Sequence, residues 1–297
     1  MTKLLYARPV VDSAKTQLAL RIQKLKSQGI TPSMCVVLVG NNPASLSYIR
    51  NKKKLCEDLG AAFKLELLPS NITKEDFLRR IFKLNNDPAI HGIIIQLPVS
   101  EVLNDLDLPN LISPQKDIDG FHGNNTQQIY AGSKNLAELM PCTPKGVVRM
   151  LQFYNYDLEG KNIVVIGRSQ IVGKPLALLL ANFNATVTLA HSKTKDLRDL
   201  TRSADVVIAA IGRANYLDAS YFDKDSQTIV IDVGMNSLNG KLTGDVDAQS
   251  VMPVVSALSP VPGGVGPMTV VSLIENLITA TEMSWDNSLN YLRGVSS

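Results

Sequence analysis

The sequence predicts an α/β protein of two α/β domains, the second a doubly wound parallel sheet of Rossmann type, with a cleft between them. Short β-rich runs alternate with helical patterns in both halves, the order that produces parallel strands joined by crossover helices. A loop-rich stretch from about 109 to 142 interrupts that alternation once. The 297 residues, 45% hydrophobic and 19% charged, are enough material for two cores.

In chain order, MCVVLVG (34–40), FKLELL (63–68) and GIIIQLP (92–98) read as strands of the first half. ASLSYIRNKKKLCEDLG (44–60) and TKEDFLRRIFKLN (73–85) read as the helices between them. In the second half NIVVIG (162–167), ATVTLA (185–190), ADVVIAAIG (204–212) and TIVIDVG (228–234) read as strands, and KPLALLLANF (174–183) as a helix. The natural division falls near residue 140, where Thr143 can cap a helix that has Pro144 at its first position. The apolar segment from about 268 is expected to return to the first domain. The expected domains are therefore 1–140 completed by 268–297, and 141–267, with the site in the cleft between them.

Composition excludes several classes. A net charge of +3 without a basic tail, and 5% aromatic residues, argue against nucleic acid. Cys35, Cys56 and Cys142 are odd in number and form no CxxC pair, so they read as reduced thiols. His91, His122 and His191 lack metal-ligand spacing, and no metal is expected. Arg8 and Pro9 break the N-terminal apolar run, and nothing approaches the ~20 apolar residues of a membrane span. The expected location is cytoplasmic.

Two constellations carry chemistry. In NIVVIGRSQIVGKPLALLL a strand ends at Gly167 and a helix opens at Gly173. Backbone N–H groups at such a helix start can hold a pyrophosphate, although the six-residue spacing is not GxGxxG and an ordinary structural turn fits equally well. The next strand ends in His191, Ser192 and Lys193 with no carboxylate, and Arg168 lies in the turn, a set that favours NADP over NAD. The bland alternative is a solvated loop.

The second constellation begins in the RNKKK run. At ~100° per residue Tyr48, Lys52, Leu55, Cys56 and Leu59 share one face, while Arg50, Lys53, Lys54 and Glu57 point away. Lys52 either snorkels along that face or, desolvated in a cleft, falls below its usual ~10.4 and becomes usable for proton transfer. Gln96 ends an otherwise apolar strand, as a sheet-edge cap or as a site residue. Asp117 and Asp119 in QKDIDGF suit an Asx turn or ligand anchoring. SPVPGGVGPMT places three prolines and three glycines between Pro260 and Pro267, a loop both stiff and open to close approach.

Taken together, PASLSYIRNK, GIIIQLP, KDIDGF, PCTPKG, GRSQIVGKP, HSKT, IDVG, GDVD and PVPGGVGPMT resemble the bifunctional methylenetetrahydrofolate dehydrogenase/cyclohydrolase family, in order across about residues 40–275. The resemblance implies NADP-dependent oxidation of 5,10-methylenetetrahydrofolate to the methenyl form, then its hydrolysis to 10-formyltetrahydrofolate, by a cytosolic homodimer. Carried over by position, it implies catalytic Lys52 with Tyr48 and Gln96, and pterin-binding Asp119. Leu97, Pro98, Pro262, Gly263 and Gly264 fall on the substrate side. Thr143, Gly167, Arg168, Ser169, Val172, Gly173, His191, Ser192, Gly212, Val233 and Gly234 fall on the NADP side. Four places depart from the pattern: YARPVVDSAK stands in place of DGK, GFHGNNTQQ lacks the proline after GFH, IGRANYL replaces the GKP type, and Leu277 stands where NT usually ends its motif in the last helix. From the residues without the resemblance, an NADP-dependent amino-acid or hydroxy-acid dehydrogenase and a non-catalytic folate or nucleotide module stay open.

Overall fold

The computed structural model describes residues 2–238 and 240–292. Residues 293–297 of the expected closing segment lie outside the described residues. In chain order the first elements are β1 (Lys3–Leu4), α1 (Ala7–Ser27), β2 (Ser33–Val39), α2 (Pro43–Asp58), β3 (Ala62–Leu68), α3 (Lys74–Asn85) and β4 (Gly92–Gln96). Then come α4 (Leu108–Leu111), α5 (Gly123–Tyr130), α6 (Cys142–Phe153), β5 (Asn162–Ile166), α7 (Gly173–Asn182), β6 (Thr186–Ala190), α8 (Leu197–Arg202) and β7 (Val206–Ala209). The chain closes with β8 (Ile229–Asp232), β9 (Asn236–Leu238), β10 (Lys241–Thr243), α9 (Ala248–Val251), β11 (Ala257–Leu258) and α10 (Val265–Leu292). Two compact units result, one holding residues 14–127, 135–142 and those from 270 on, the other 2–13, 128–134 and 143–269.

The first unit is built on a three-stranded parallel sheet, β3-β2-β4. Central β2 is a continuous apolar run whose Met34–Leu38 are fully buried, as a strand covered on both faces requires. On one face α3 sets Phe77, Ile81 and Leu84 against Cys35, Val37, Ile93 and Ile95. Thr73 starts that helix by accepting the Asp76 N–H at 3.1 Å, and Phe77, Ile81 and Leu84 recur at helical spacing. Beyond β4 the chain returns alongside it: Ile93 N–H donates to the Lys116 carbonyl at 2.8 Å, and Ile93 and Asp117 form a parallel bridge. That return sets residues 117–119 beside β4.

The second unit is a six-stranded parallel sheet ordered β1-β11-β8-β7-β5-β6. Its strands after residue 141 follow the doubly wound order 2-1-3-4-5, with the reversal between β5 and β7. Val164, Val207, Val230 and Leu258, each buried, form part of one core cluster of this unit. β9 and β10 make a separate antiparallel hairpin.

Strand and helix positions follow the apolar runs, with differences at the ends. The last helix starts at Val265 rather than near 268. Pro267 then falls in the first turn, where its missing N–H costs nothing. The same reason explains α1, whose Pro9 is its third residue. The two-residue strands β1 and β11 carry no periodicity of their own.

Candidate active site

In the first unit two of the expected side chains meet, Lys52 and Gln96. Lys52 lies on the half-buried face of α2, above buried Leu55 and Cys56, and donates from Nζ to Gln96 Oε1 at 3.0 Å. Gln96 is the last residue of β4, and its own amide donates to the Leu97 carbonyl at 2.9 Å. Lys53 and Lys54 behave differently, reaching along the helix to Glu57 at 3.8 Å and Asp58 at 3.0 Å in exposed ion pairs. Tyr48, one turn before Lys52, leaves 43% of its surface open. Leu97 and Pro98 are exposed and joined by a cis peptide bond.

The two aspartates of QKDIDGF separate cleanly. Asp117 is buried and accepts the Gly120 and His122 N–H groups at 3.1 and 2.7 Å and the Asn125 amide at 3.0 Å. It is the turn-forming member, and burial raises its carboxyl against the pull of those donors. Asp119 accepts none of those turn donors. Burial pushes its carboxyl up, the nearby Lys52 ammonium pulls it down, and Asp117 pushes it up further. Behind it, Asn276 of α10 donates to the carbonyls of Ile118 and Met140 at 2.9 and 2.8 Å, fixing the backbone that carries Asp119. Sequence reasoning gave no role to Asn276, a buried amide in a helix that also buries Ser272, Glu275, Thr279 and Thr281.

In the second unit the turn after β5 is tight. A Cβ on Gly173 would stand 1.9 Å from the Gly167 carbonyl oxygen, and one on Gly167 would stand 2.0 Å from that of Ala210. Glycine is required at both, and Gly167 adopts φ +124°. The loops after β5 and β7 therefore touch at the point where strand order reverses, the place where such sheets bind ligands. Ser169 Oγ accepts the Val172 and Gly173 N–H groups at 3.1 and 3.3 Å. Two N–H groups expected to face a pyrophosphate thus already serve the turn itself. Arg168 and Ser192 are exposed. The turn after β6 closes on itself, with His191 N–H donating to Thr194 Oγ1 at 2.8 Å, and His191–Thr194 contains no carboxylate. A bare glycine turn, an exposed guanidinium and no opposing carboxylate fit a phosphorylated dinucleotide.

Two buried carboxylates that sequence reasoning quoted without a role hold the neighbouring loops. Asp245 accepts the N–H groups of Ile211, Gly212 and Arg213 at 2.5, 3.0 and 2.9 Å and the Asn236 amide at 2.9 Å. Asp232, ending β8, accepts those of Gly234 and Asp245 at 2.9 Å and Val246 at 3.0 Å. Burial raises Asp232 to about 6 despite these donors. Gly212 and Gly234 are thus tied to Asp245 and Asp232, and Val233 is half-buried between β8 and Gly234. Thr143 Oγ1 lies 3.1 Å from Thr269 Oγ1. Pro262, after a cis bond, is exposed, Gly263 has φ +106°, and Gly264 is buried against the Pro260 carbonyl.

Family models bear directly on this arrangement. The tetrahydrofolate dehydrogenase/cyclohydrolase catalytic domain matches residues 5–119, and the NAD(P)-binding domain of the same family matches 141–285. The chain belongs to the tetrahydrofolate dehydrogenase/cyclohydrolase family. It is 47% identical over 279 residues to the Bifunctional protein FolD of Halalkalibacterium halodurans, covering 94% of this chain and 98% of that relative. The Bacillus subtilis Bifunctional protein FolD is 44% identical over 280 residues, covering 92% and 97%. Among solved structures, the bifunctional FolD methylenetetrahydrofolate dehydrogenase/cyclohydrolase from Campylobacter jejuni superposes with TM-score 0.91 at 42% identity, covering 95% and 99%. The Trypanosoma brucei FolD, complexed with NADP cofactor and inhibitor, superposes at 0.89 with 32% identity, covering 96% and 98%. Both halves of the family pattern are therefore present in one chain, and the fold is the family fold.

Proposed function

We propose that the chain oxidises 5,10-methylenetetrahydrofolate to 5,10-methenyltetrahydrofolate with NADP, and hydrolyses the methenyl form to 10-formyltetrahydrofolate, in one-carbon metabolism. The observation that carries this, on a chain of this family, is the Lys52–Gln96 hydrogen bond beside Asp119. Residues 1–140 with the last helix handle folate, and 141–267 handle NADP. Gly167, Arg168, Ser169, Val172, Gly173, His191 and Ser192 would hold the cofactor's phosphates and ribose, with Thr143, Gly212, Val233 and Gly234 toward its other end. When bound, NADP accepts the hydride.

Oxidation removes hydride from the methylene carbon while the flanking nitrogens supply the electrons of a delocalised amidinium, so no residue need take a proton. The chain's task in that step is register, which the Pro262–Gly264 loop supplies. Hydrolysis does need a base. Water attacks the amidinium carbon and loses a proton, and N5 gains one as its bond to that carbon breaks. Lys52 Nζ is the group placed to take and return that proton, held 3.0 Å from Gln96 Oε1 on the half-buried face of α2. Gln96 Oε1 holds the amine in place, and Tyr48 offers an open ring to the pterin. Asp119 presents two acceptor oxygens to the paired donors of an aminopyrimidine edge. Leu97, Pro98, Pro262, Gly263 and Gly264 are assigned to the substrate on the family resemblance.

The buried thiols of Cys35, Cys56 and Cys142 suit a reducing compartment, so we place the enzyme in the cytoplasm. No helix among the described residues is long and apolar enough to cross a membrane. We assign it as a homodimer, as the family resemblance implies. The test follows NADPH and methenyltetrahydrofolate absorbance in one cuvette, with NAD and NADP side by side. Formation of NADPH with transient methenyl absorbance supports both activities. Persistent methenyl absorbance would leave a dehydrogenase, and no NADPH would reject the assignment.

A further inference from the structure

The N-terminal arm departs from the family pattern at YARPVVDSAK, and the structure gives that departure a place in the site. Residues 3–7 run beside the proline–glycine loop of their own unit. Leu5 N–H donates to the Leu258 carbonyl at 2.9 Å, and Ala7 N–H donates to the Gly263 carbonyl at 2.8 Å. Between these two bonds the Tyr6 ring lies against Gly263: its Cδ1 and Cε1 are 3.4 and 3.7 Å from where a Cβ on that glycine would stand. The ring is not core packing, because Tyr6 keeps 46% of its surface open. Its backbone is fixed from behind. Tyr154 Oη donates to the Tyr6 carbonyl at 2.7 Å, and the Lys3 ammonium lies over the rings of Tyr154 and Tyr156 at 5.0 and 5.5 Å.

A half-exposed aromatic anchored this firmly would be a poor use of apolar surface unless its position matters. Gly263 has φ +106° and no side chain, so nothing of its own holds it against rotation. The Ala7 bond and the Tyr6 ring supply that restraint from outside. We infer that Tyr6 is a positioning residue for substrate: its ring and the anchored arm behind it hold Pro262–Gly264 in the conformation the folate meets. This rests on the assignment of that loop to folate binding. Tyr6 acts through the loop and takes no part in proton or hydride transfer. Its hydroxyl is not used; the ring and the backbone carbonyl are.

The experiment compares full-length wild type with Tyr6→Ala, Tyr6→Phe and Tyr154→Phe. Amide hydrogen exchange of the peptide covering 259–265 is expected to be faster in Tyr6→Ala and unchanged in Tyr6→Phe, a readout independent of any activity. In kinetics Tyr6→Ala is expected to raise KM for methylenetetrahydrofolate about tenfold, equivalent to about 1.4 kcal/mol. KM for NADP should stay within about twofold, and Tyr6→Phe should restore the folate KM. Tyr154→Phe should raise the same KM by a smaller factor, and it decides the matter if Tyr6→Ala fails to fold. Unchanged exchange in Tyr6→Ala, or a Tyr6→Phe variant as impaired as Tyr6→Ala, would overturn the inference. A wild type inert toward methylenetetrahydrofolate would instead reject the functional assignment, with exchange still deciding whether Tyr6 holds the loop.

Discussion

Gly264→Ala isolates the positioning role of the proline–glycine loop. The φ of Gly264 lies outside the left-handed region, so alanine adds bulk without backbone strain. Its Cβ would stand 2.6 Å from the Pro260 carbonyl oxygen and 3.1 Å from Ser259 Cβ. Ordinary carbon–oxygen contacts begin near ~3.3 Å, so the pair must separate by roughly 0.7 Å. Ser259 cannot easily retreat: its N–H donates to the Val230 carbonyl at 2.9 Å, and its hydroxyl accepts the Asp232 N–H at 2.8 Å. The shift therefore falls on Pro262–Gly264. Misplacement of about 1 Å costs roughly 10²-fold in a reaction that depends on register. A tenfold to hundredfold fall in single-turnover NADPH formation is expected, about 1.4–2.7 kcal/mol of barrier. The accompanying stability loss should be that of modest overpacking, about 1–3 kcal/mol. A folded Gly264→Ala enzyme whose hydride step stays within about twofold of wild type would refute the loop's role.

Three further predictions follow from other parts of the site. Lys52→Met should slow methenyltetrahydrofolate hydrolysis by about 10²–10⁴-fold while sparing much of the oxidation, which needs no base; hydrolysis at the wild-type rate would assign the proton to another group. Asp245→Asn turns an amide NH₂ toward backbone N–H groups of Ile211–Arg213, and should raise KM for NADP about tenfold more than KM for folate. Equal changes in both would mean a general structural lesion. For Asp232 the sign is set by its raised value: about 6 in the fold against an ordinary 3.8 means the native state holds the proton more tightly. Its contribution to stability is full below about 4 and lost as pH rises through about 6, a span of about 3 kcal/mol. Melting wild type and Asp232→Asn between these limits should show that decline as the difference between the curves, and parallel curves would contradict it.

Lysine 52 was legible because helical phase distinguishes it from its neighbours. Lys53 and Lys54 are satisfied by partners four residues on, within the same helix, so local spacing describes them fully. The partner of Lys52 is 44 residues away and depends on β2 pairing with both β3 and β4, which no window of sequence contains. The Asp117/Asp119 choice was open for the same reason. Either aspartate could close an Asx turn, and the N–H groups of Gly120 and His122 decide it. Ser169 shows the opposite case: a residue assigned by motif to the cofactor also has an internal duty, capping the turn that presents it.

Asp232, Asp245, Asn276 and Tyr6 were not legible as site-building residues, and they share a cause. Each engages main-chain groups of distant segments, and side-chain patterns along a sequence carry no record of where free backbone donors and acceptors converge. A parallel sheet makes that convergence unavoidable at the carboxyl ends of its strands. There the chain leaves the ladder, and loops such as 211–213 and 233–234 would bring unpaired N–H groups into a buried setting. A buried carboxylate satisfies several at once, as Asp245 does with three consecutive residues, and in doing so fixes the backbone of that loop. The same geometry that costs a charge its water thus defines the shape of the site. Variants of these aspartates should consequently alter ligand affinity before they alter the fold.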